Sequence, residues 1–230
     1  MFPWELLKKV FRCFYDNMFF LIFFNILWFI IIFPLAFISF QGILMGLILA
    51  ALALIPIGPL CLSGLKVLSS LVRGDKARFR DLFLNFKSSF LPGLAAFFYT
   101  VVIYVILIVD IVFFYNRIEQ TYLMIPLAII IFYLILFFSM SQLYFWGLTV
   151  DYLEFSFWER IKKSLLLVLD NFLESFLWLL FMVAFVTILI VILPSIPILF
   201  FGLTGLTIIV GNDMILQQYD FAKEEEGGLE

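Results

Sequence analysis

Long apolar runs separated by short clusters of charge organise this chain. Residues 18–40, 43–72, 91–115 and 122–148 are almost wholly apolar, and so is most of 176–216. About twenty consecutive apolar residues cross the hydrocarbon core of a bilayer as a helix, so each of the first four runs predicts one span. The last run is too long for one. It carries Pro194 and Pro197 near its middle, and two such prolines cannot continue a helix cleanly, because each lacks a backbone donor and crowds the preceding turn. The run therefore divides into a fifth span ending near residue 193 and a sixth over 198–216.

Amphipathic segments precede the first, third and fifth spans. Trp4, Leu7, Phe11, Phe14 and Met18 share one helical face, with Glu5, Lys8, Lys9 and Arg12 elsewhere. Phe79, Leu82, Phe83, Phe86 and Phe90 do the same against Arg78, Arg80, Asp81 and Lys87, and Trp158, Ile161, Leu165, Leu169 and Phe172 against Glu159, Arg160, Lys162 and Lys163. Spacings of three and four are the helix period. Basic residues opposite an aromatic face suit a helix lying in the head-group layer.

Charge tests the division into spans. The N-terminal segment, the second-to-third and fourth-to-fifth connections and the tail together hold 13 of the 14 lysines and arginines, and Arg117 stands alone on the opposite side. The positive-inside rule makes the basic side cytoplasmic. The expected architecture is all-α: a polytopic membrane protein of six spans, three helical hairpins each preceded by an interfacial helix, with both termini cytoplasmic. The N-terminus reads as a retained first span rather than a cleaved signal peptide. Residues 1–221 form one membrane domain, and 222–230 are expected to be a polar, disordered tail.

Composition agrees. The chain has 230 residues, of which 65% are hydrophobic and only 13% charged. Soluble domains average about 25% charged residues, so the surplus of apolar side chains, 32 phenylalanines among them, must face lipid. Long runs, not ten-residue alternating segments, favour helices over a barrel. A net charge of -3 gives no footprint for nucleic acid. There is no histidine, and the two cysteines, Cys13 and Cys61, make neither a disulfide framework nor a metal motif.

The three amphipathic segments also align on a polar anchor. Lys8 precedes Asn17 by nine residues, and Lys76 and Lys162 precede Asn85 and Asn171 by the same interval. Asn85 to Phe90 and Asn171 to Phe176 share Asn-Phe-x-x-Ser-Phe. This predicts three repeat units, about 1–72, 73–152 and 153–221, each an interfacial helix, an asparagine elbow and a hairpin. The asparagines admit two readings. They cap helix starts, where free N–H groups need acceptors, or they form a polar ring at the cytoplasmic mouth of a pathway.

Four stretches resemble a known family: Asn25-Ile26-Leu27-Trp28, then Ile57-Gly58-Pro59-Leu60-Cys61-Leu62-Ser63-Gly64-Leu65, then Leu71-Val72-Arg73-Gly74-Asp75, then Phe79-Arg80-Asp81-Leu82-Phe83-Leu84-Asn85-Phe86. The series is similar to the YesL-like family of small bacterial membrane proteins, a domain of unknown function, best over residues 17–95. The resemblance implies a place in the bacterial cytoplasmic membrane. Relatives often lie beside genes for carbohydrate uptake and polysaccharide breakdown, which implies an accessory role in sugar uptake and a membrane transporter complex as partner.

The second apolar run is long for a straight span, and Pro56, Gly58 and Pro59 interrupt it. Freed carbonyls in lipid need partners, and a broken helix is one way transporters make a mid-membrane site. A simple packed kink is the other reading. Either way, a kink or unwound stretch is expected between residues 54 and 61, packed on the first span near Asn25 and Trp28. No P-loop, serine–histidine pair, paired-carboxylate motif or metal cluster is visible. The function expected is non-enzymatic and without cofactor: an accessory or regulatory component, or alternatively a small transporter or channel with its site at the broken span.

Overall fold

The first helix, α1 (Phe2–Asp16), carries two apolar stripes rather than one. Leu6 and Val10 are buried in the protein core, while Trp4, Phe11 and Tyr15 point outward. At Asn17 the chain turns through 90° into the almost uniformly apolar α2 (Met18–Met45). These come from a computed structural model that describes residues 2–45, 54–117, 124–192, 195–217 and 219. The first part of the expected second span, residues 46–53, and the expected tail at 222–230 lie outside the described residues.

The remaining helices are α3 (Ile57–Val72), α4 (Phe79–Tyr115), α5 (Met124–Asp151), α6 (Phe157–Asp170), α7 (Phe172–Val191) and α8 (Ser195–Leu216), and no strand occurs among the described residues. α7 ends at Val191 and α8 begins at Ser195, so a helix boundary falls close to the expected division, with Pro197 in the first turn of α8. Four helices, α4, α5, α7 and most of α8, are long and apolar enough to cross a membrane, and the bent pair α1 and α2 makes a fifth candidate. The chain is a helical membrane protein.

The break in the second apolar run falls at Ile55–Pro56, just ahead of α3. The first bond of α3 runs from the Leu60 N–H to the Pro56 carbonyl, at 3.0 Å. Pro59 therefore lies in the first turn, where a helix has free N–H groups anyway, so its missing donor costs nothing. The unwound stretch expected between residues 54 and 61 thus falls at Ile55–Pro56, and Pro59 sits in the first turn of α3 rather than in the break itself. Pro59→Ala is expected to leave the start of α3 in place and to shift stability by less than about 1 kcal/mol, read by unfolding in mixed micelles.

A second correction concerns Asn85. The segment expected as a separate interfacial helix is continuous with the third span, in one helix of 37 residues. Its buried side chains are Leu82, Ser89, Gly93, Ala96 and Leu107. The first four, spaced by seven, four and three, form one helical stripe that runs through position 85. A bend there would break that seam, which serves the extensive packing of α4 on α3. Hydrogen bonds from Thr100 to Gln142, at 2.8 Å, and between Tyr104 and Ser139, at 2.9 Å, then tie α4 to α5.

The helix ends explain the charge pattern. Phe20 stacks on Phe79 with ring centroids 4.8 Å apart. Arg73 and Asp151 form an ion pair at 2.6 Å, and the Asn171 amide donates to the Tyr219 hydroxyl at 2.6 Å. The starts of α2, α4 and α7 and the ends of α3, α5 and α8 thus meet at one end of the bundle, where the three basic clusters also lie.

The axis of the bundle is α8. Of its most apolar stretch 61% is buried, against none of that of α4. Small residues let it come close: Gly202 faces Asn25, Gly205 faces Leu68 and Gly211 faces Trp178. Around it, α2, α3, α5 and α7 complete the core together with Leu6 and Val10 of α1.

At the start of α6, Ser156 and Glu159 cap one another: the Ser156 N–H donates to Glu159 Oε2 at 2.6 Å and the Glu159 N–H to Ser156 Oγ at 3.3 Å. The hydrogen bond from the Ser156 side chain, then that from its backbone, hold the Glu159 carboxyl below the usual glutamate value. A lowered folded-state value stabilises the cap above the unfolded pKa, and the benefit fades as pH falls through the folded one. Amides in the first turn of α6 should therefore lose hydrogen-exchange protection as pH drops below about 4.3. In Ser156→Ala this pH dependence should flatten.

Candidate functional site

The α1–α2 elbow is built by Asn17. Its side-chain amide donates to the Cys13 carbonyl at 3.0 Å, closing off α1 one turn back, while its own carbonyl accepts from the Leu21 N–H at 3.0 Å to start α2. Asn171 repeats this at the α6–α7 junction. Its amide donates to Leu167 O at 3.2 Å and to Tyr219 Oη, and its carbonyl accepts from the Ser175 N–H at 2.9 Å.

Opposite the first elbow, α3 ends at Arg73 and the chain reverses through Gly74 at φ +87°, a conformation that suits glycine. The reversal swings residues 75–77 back over the end of α1. Between the elbow, this loop and the last turns of α8 lies a cavity of about 670 Å³. Its polar wall holds Lys9, Arg12 and Lys76 together with Asp16, Asp75 and Asp213, with Asn17 among them, and its apolar floor is Phe20, Leu71, Val72 and Val210. Cys13 also lines it. Burial pushes the Cys13 thiol up and Asp16 adds to this, against the hydrogen bond to Asn17, so the sulfur rests protonated near neutral pH and is no activated nucleophile.

Beside the cavity, Asp151 accepts from both Arg73 and Ser69, the latter at 2.8 Å, and pins the end of α5 to that of α3. Among the described residues no group of three or more cysteines and carboxylates is placed to hold a metal ion. The site can bind charged groups of both signs.

Of the three asparagines singled out by the sequence, Asn17 lines the cavity, Asn171 is held by Tyr219, and Asn85 lies inside α4. Two act as elbows and the third does not. The broken-helix residues also divide. Gly58 and Pro59 press on Gly93 of α4. Asn25 is engaged elsewhere, donating to Leu21 O and accepting from the Gly202 N–H, both at 2.6 Å, and Trp28 stacks on Phe201 with centroids 4.1 Å apart. The expected meeting of Asn25 and Trp28 with the freed carbonyls at the break is replaced by packing on α8.

Arg160, read from the sequence as part of an open basic face, is buried, and its Nε and Nη1 have no hydrogen-bond partner. Of the carboxylates of the cavity, Asp213 stands out in the sequence as an acidic group at the cytoplasmic end of the sixth predicted span, where solvation is the simpler reading; its meeting with Asp16 and Asp75 is not visible there. Asp16, Asp75 and Asp213 each sit at a predicted span end on the basic side, a shared position that could have marked them. Comparison with family models, with curated proteins and with solved structures finds no match to this chain.

Proposed function

We propose that this chain is a non-enzymatic integral membrane protein that serves carbohydrate uptake as an accessory or regulatory component. The observation that carries this reading is the position of α8. A buried helix fills the centre of the bundle through glycine-mediated contacts, where a conduction path would need space and converging polar groups. What the protein offers instead is the charged cavity at the basic end. The link to sugar uptake comes from the YesL-like resemblance of residues 17–95.

In this reading the chain crosses the bacterial cytoplasmic membrane six times, with the basic end and both termini in the cytoplasm. Reporter fusions after Arg78 and Lys163 should read as cytoplasmic and fusions after Asn116 as external. A fusion after Lys223 should also read as cytoplasmic, and an external signal there would sink the six-span arrangement.

The turn at Ile55–Pro56, inside an apolar stretch, favours a second reading as a small transporter with a site at the second span. Two experiments separate the readings. Affinity purification of the tagged chain from native membranes should bring down components of a sugar transporter. Proteoliposomes holding the chain alone should show no sugar flux; flux above that of empty vesicles would overturn the accessory role.

A further inference from the structure

We propose that the cavity at the α1–α2 elbow is a binding site for a phosphate–ammonium zwitterion of the phosphoethanolamine class, presented by a lipid head group. The charges on its wall balance: Lys9, Arg12 and Lys76 on one count, Asp16, Asp75 and Asp213 on the other. No two of them form a close ion pair; among the described residues the ion pair formed is that of Arg73 with Asp151, outside the cavity wall. Among the described residues the Asp213 carboxylate accepts from Gln217 Nε2, at 3.0 Å, on one of its two oxygens, and the other faces no described donor.

A lone anion in such a cavity meets three carboxylates, and a lone cation meets three basic groups. A dipolar ligand satisfies both sets at once, its phosphate taking charge-assisted hydrogen bonds from the lysines and arginine and its primary ammonium donating to the aspartates. The apolar floor of Phe20, Leu71, Val72 and Val210 then receives the glyceryl and first acyl carbons.

The position of the cavity selects a lipid as the source. It lies against α1, which meets α2 at 90° and turns Trp4, Phe11 and Tyr15 outward. Aromatic rings beside basic residues place such a helix at head-group depth. The inference rests on the membrane placement of the basic end and not on the accessory role, so either can fail without the other.

The test uses the full chain in detergent, with lipid retention followed by native mass spectrometry. Phosphatidylethanolamine should be retained roughly tenfold better than phosphatidylglycerol, which offers phosphate without ammonium. It should also be retained better than phosphatidylcholine, whose quaternary ammonium cannot donate a hydrogen bond. The double variant Asp16→Asn, Asp213→Asn should abolish the preference over phosphatidylglycerol, and Arg12→Ala with Lys76→Ala should weaken retention of both lipids. Soluble phosphoethanolamine, added as a competitor and scored by thermal shift, separates the sources. If it stabilises the chain while the lipid is not retained, the site takes the free zwitterion. Equal or better retention of phosphatidylglycerol by the unmodified chain, or no response to either zwitterion, overturns the proposal without reliance on any variant.

Discussion

Trp178→Ala should cost the folded state about 3 kcal/mol. The indole is fully buried on α7, stands edge-on to Tyr144 with centroids 5.5 Å apart, and fits the notch left by Gly211 on α8. Its removal leaves a ring-sized void at the junction of α5, α7 and α8. In water-soluble cores such a change costs about 3–5 kcal/mol, part of it for transfer of the side chain and part for the cavity. Here the transfer part shrinks, because the separated helices keep the indole in lipid, while the lost packing contacts remain. The lower end of the range therefore applies. Equilibrium unfolding in mixed micelles measures it, and a change below about 1 kcal/mol would mean that α7 and α8 do not meet in this way.

Gly93→Ala tests a different contact and should cost about 1–3 kcal/mol. A Cβ at position 93 would stand 2.7 Å from Pro59 Cα and 2.9 Å from both Gly58 O and Pro59 N. All three are backbone atoms, so no side chain can rotate away and α3 and α4 must separate. Gly58→Ala meets the same obstacle from the other side, on the Gly93 carbonyl and Phe97. Since both substitutions push on one contact, the double variant should lose less than the sum of the two. Full additivity would show that the glycines do not face each other.

The elbows at Asn17 and Asn171 were legible because the turn itself is made locally, although Asn171 is also held by the distant Tyr219. An amphipathic segment ends in Asp-Asn, the amide reaches back four residues, and an apolar run follows. Position 85 shares the same nine-residue spacing from a lysine, and the same Asn-Phe-x-x-Ser-Phe pattern as Asn171, yet the helix continues through it. What decides there is the seam through Leu82, Ser89, Gly93 and Ala96, whose partner is far away in the chain. Gly58 was found for the same reason that its contact was missed: a glycine in an apolar run announces close approach but does not name what approaches. Asn25 and Trp28 were placed with it, and they belong to α8, about 175 residues further on, through Gly202 and Phe201. The cavity joins positions near 12, 75 and 213, which no periodicity brings together.

The buried position of α8 has a consequence for assembly. It follows every other described helix in the chain, so α1 to α7 are made before the helix that fills the centre of their bundle. Until α8 arrives, the side-chain oxygen of Asn25 lacks its donor, the Gly202 N–H. The intermediate therefore presents an unpaired polar oxygen in the gap that α8 closes. Such a group is costly in hydrocarbon, and it gives membrane proteases and chaperones a signal that distinguishes an unfinished bundle from a complete one.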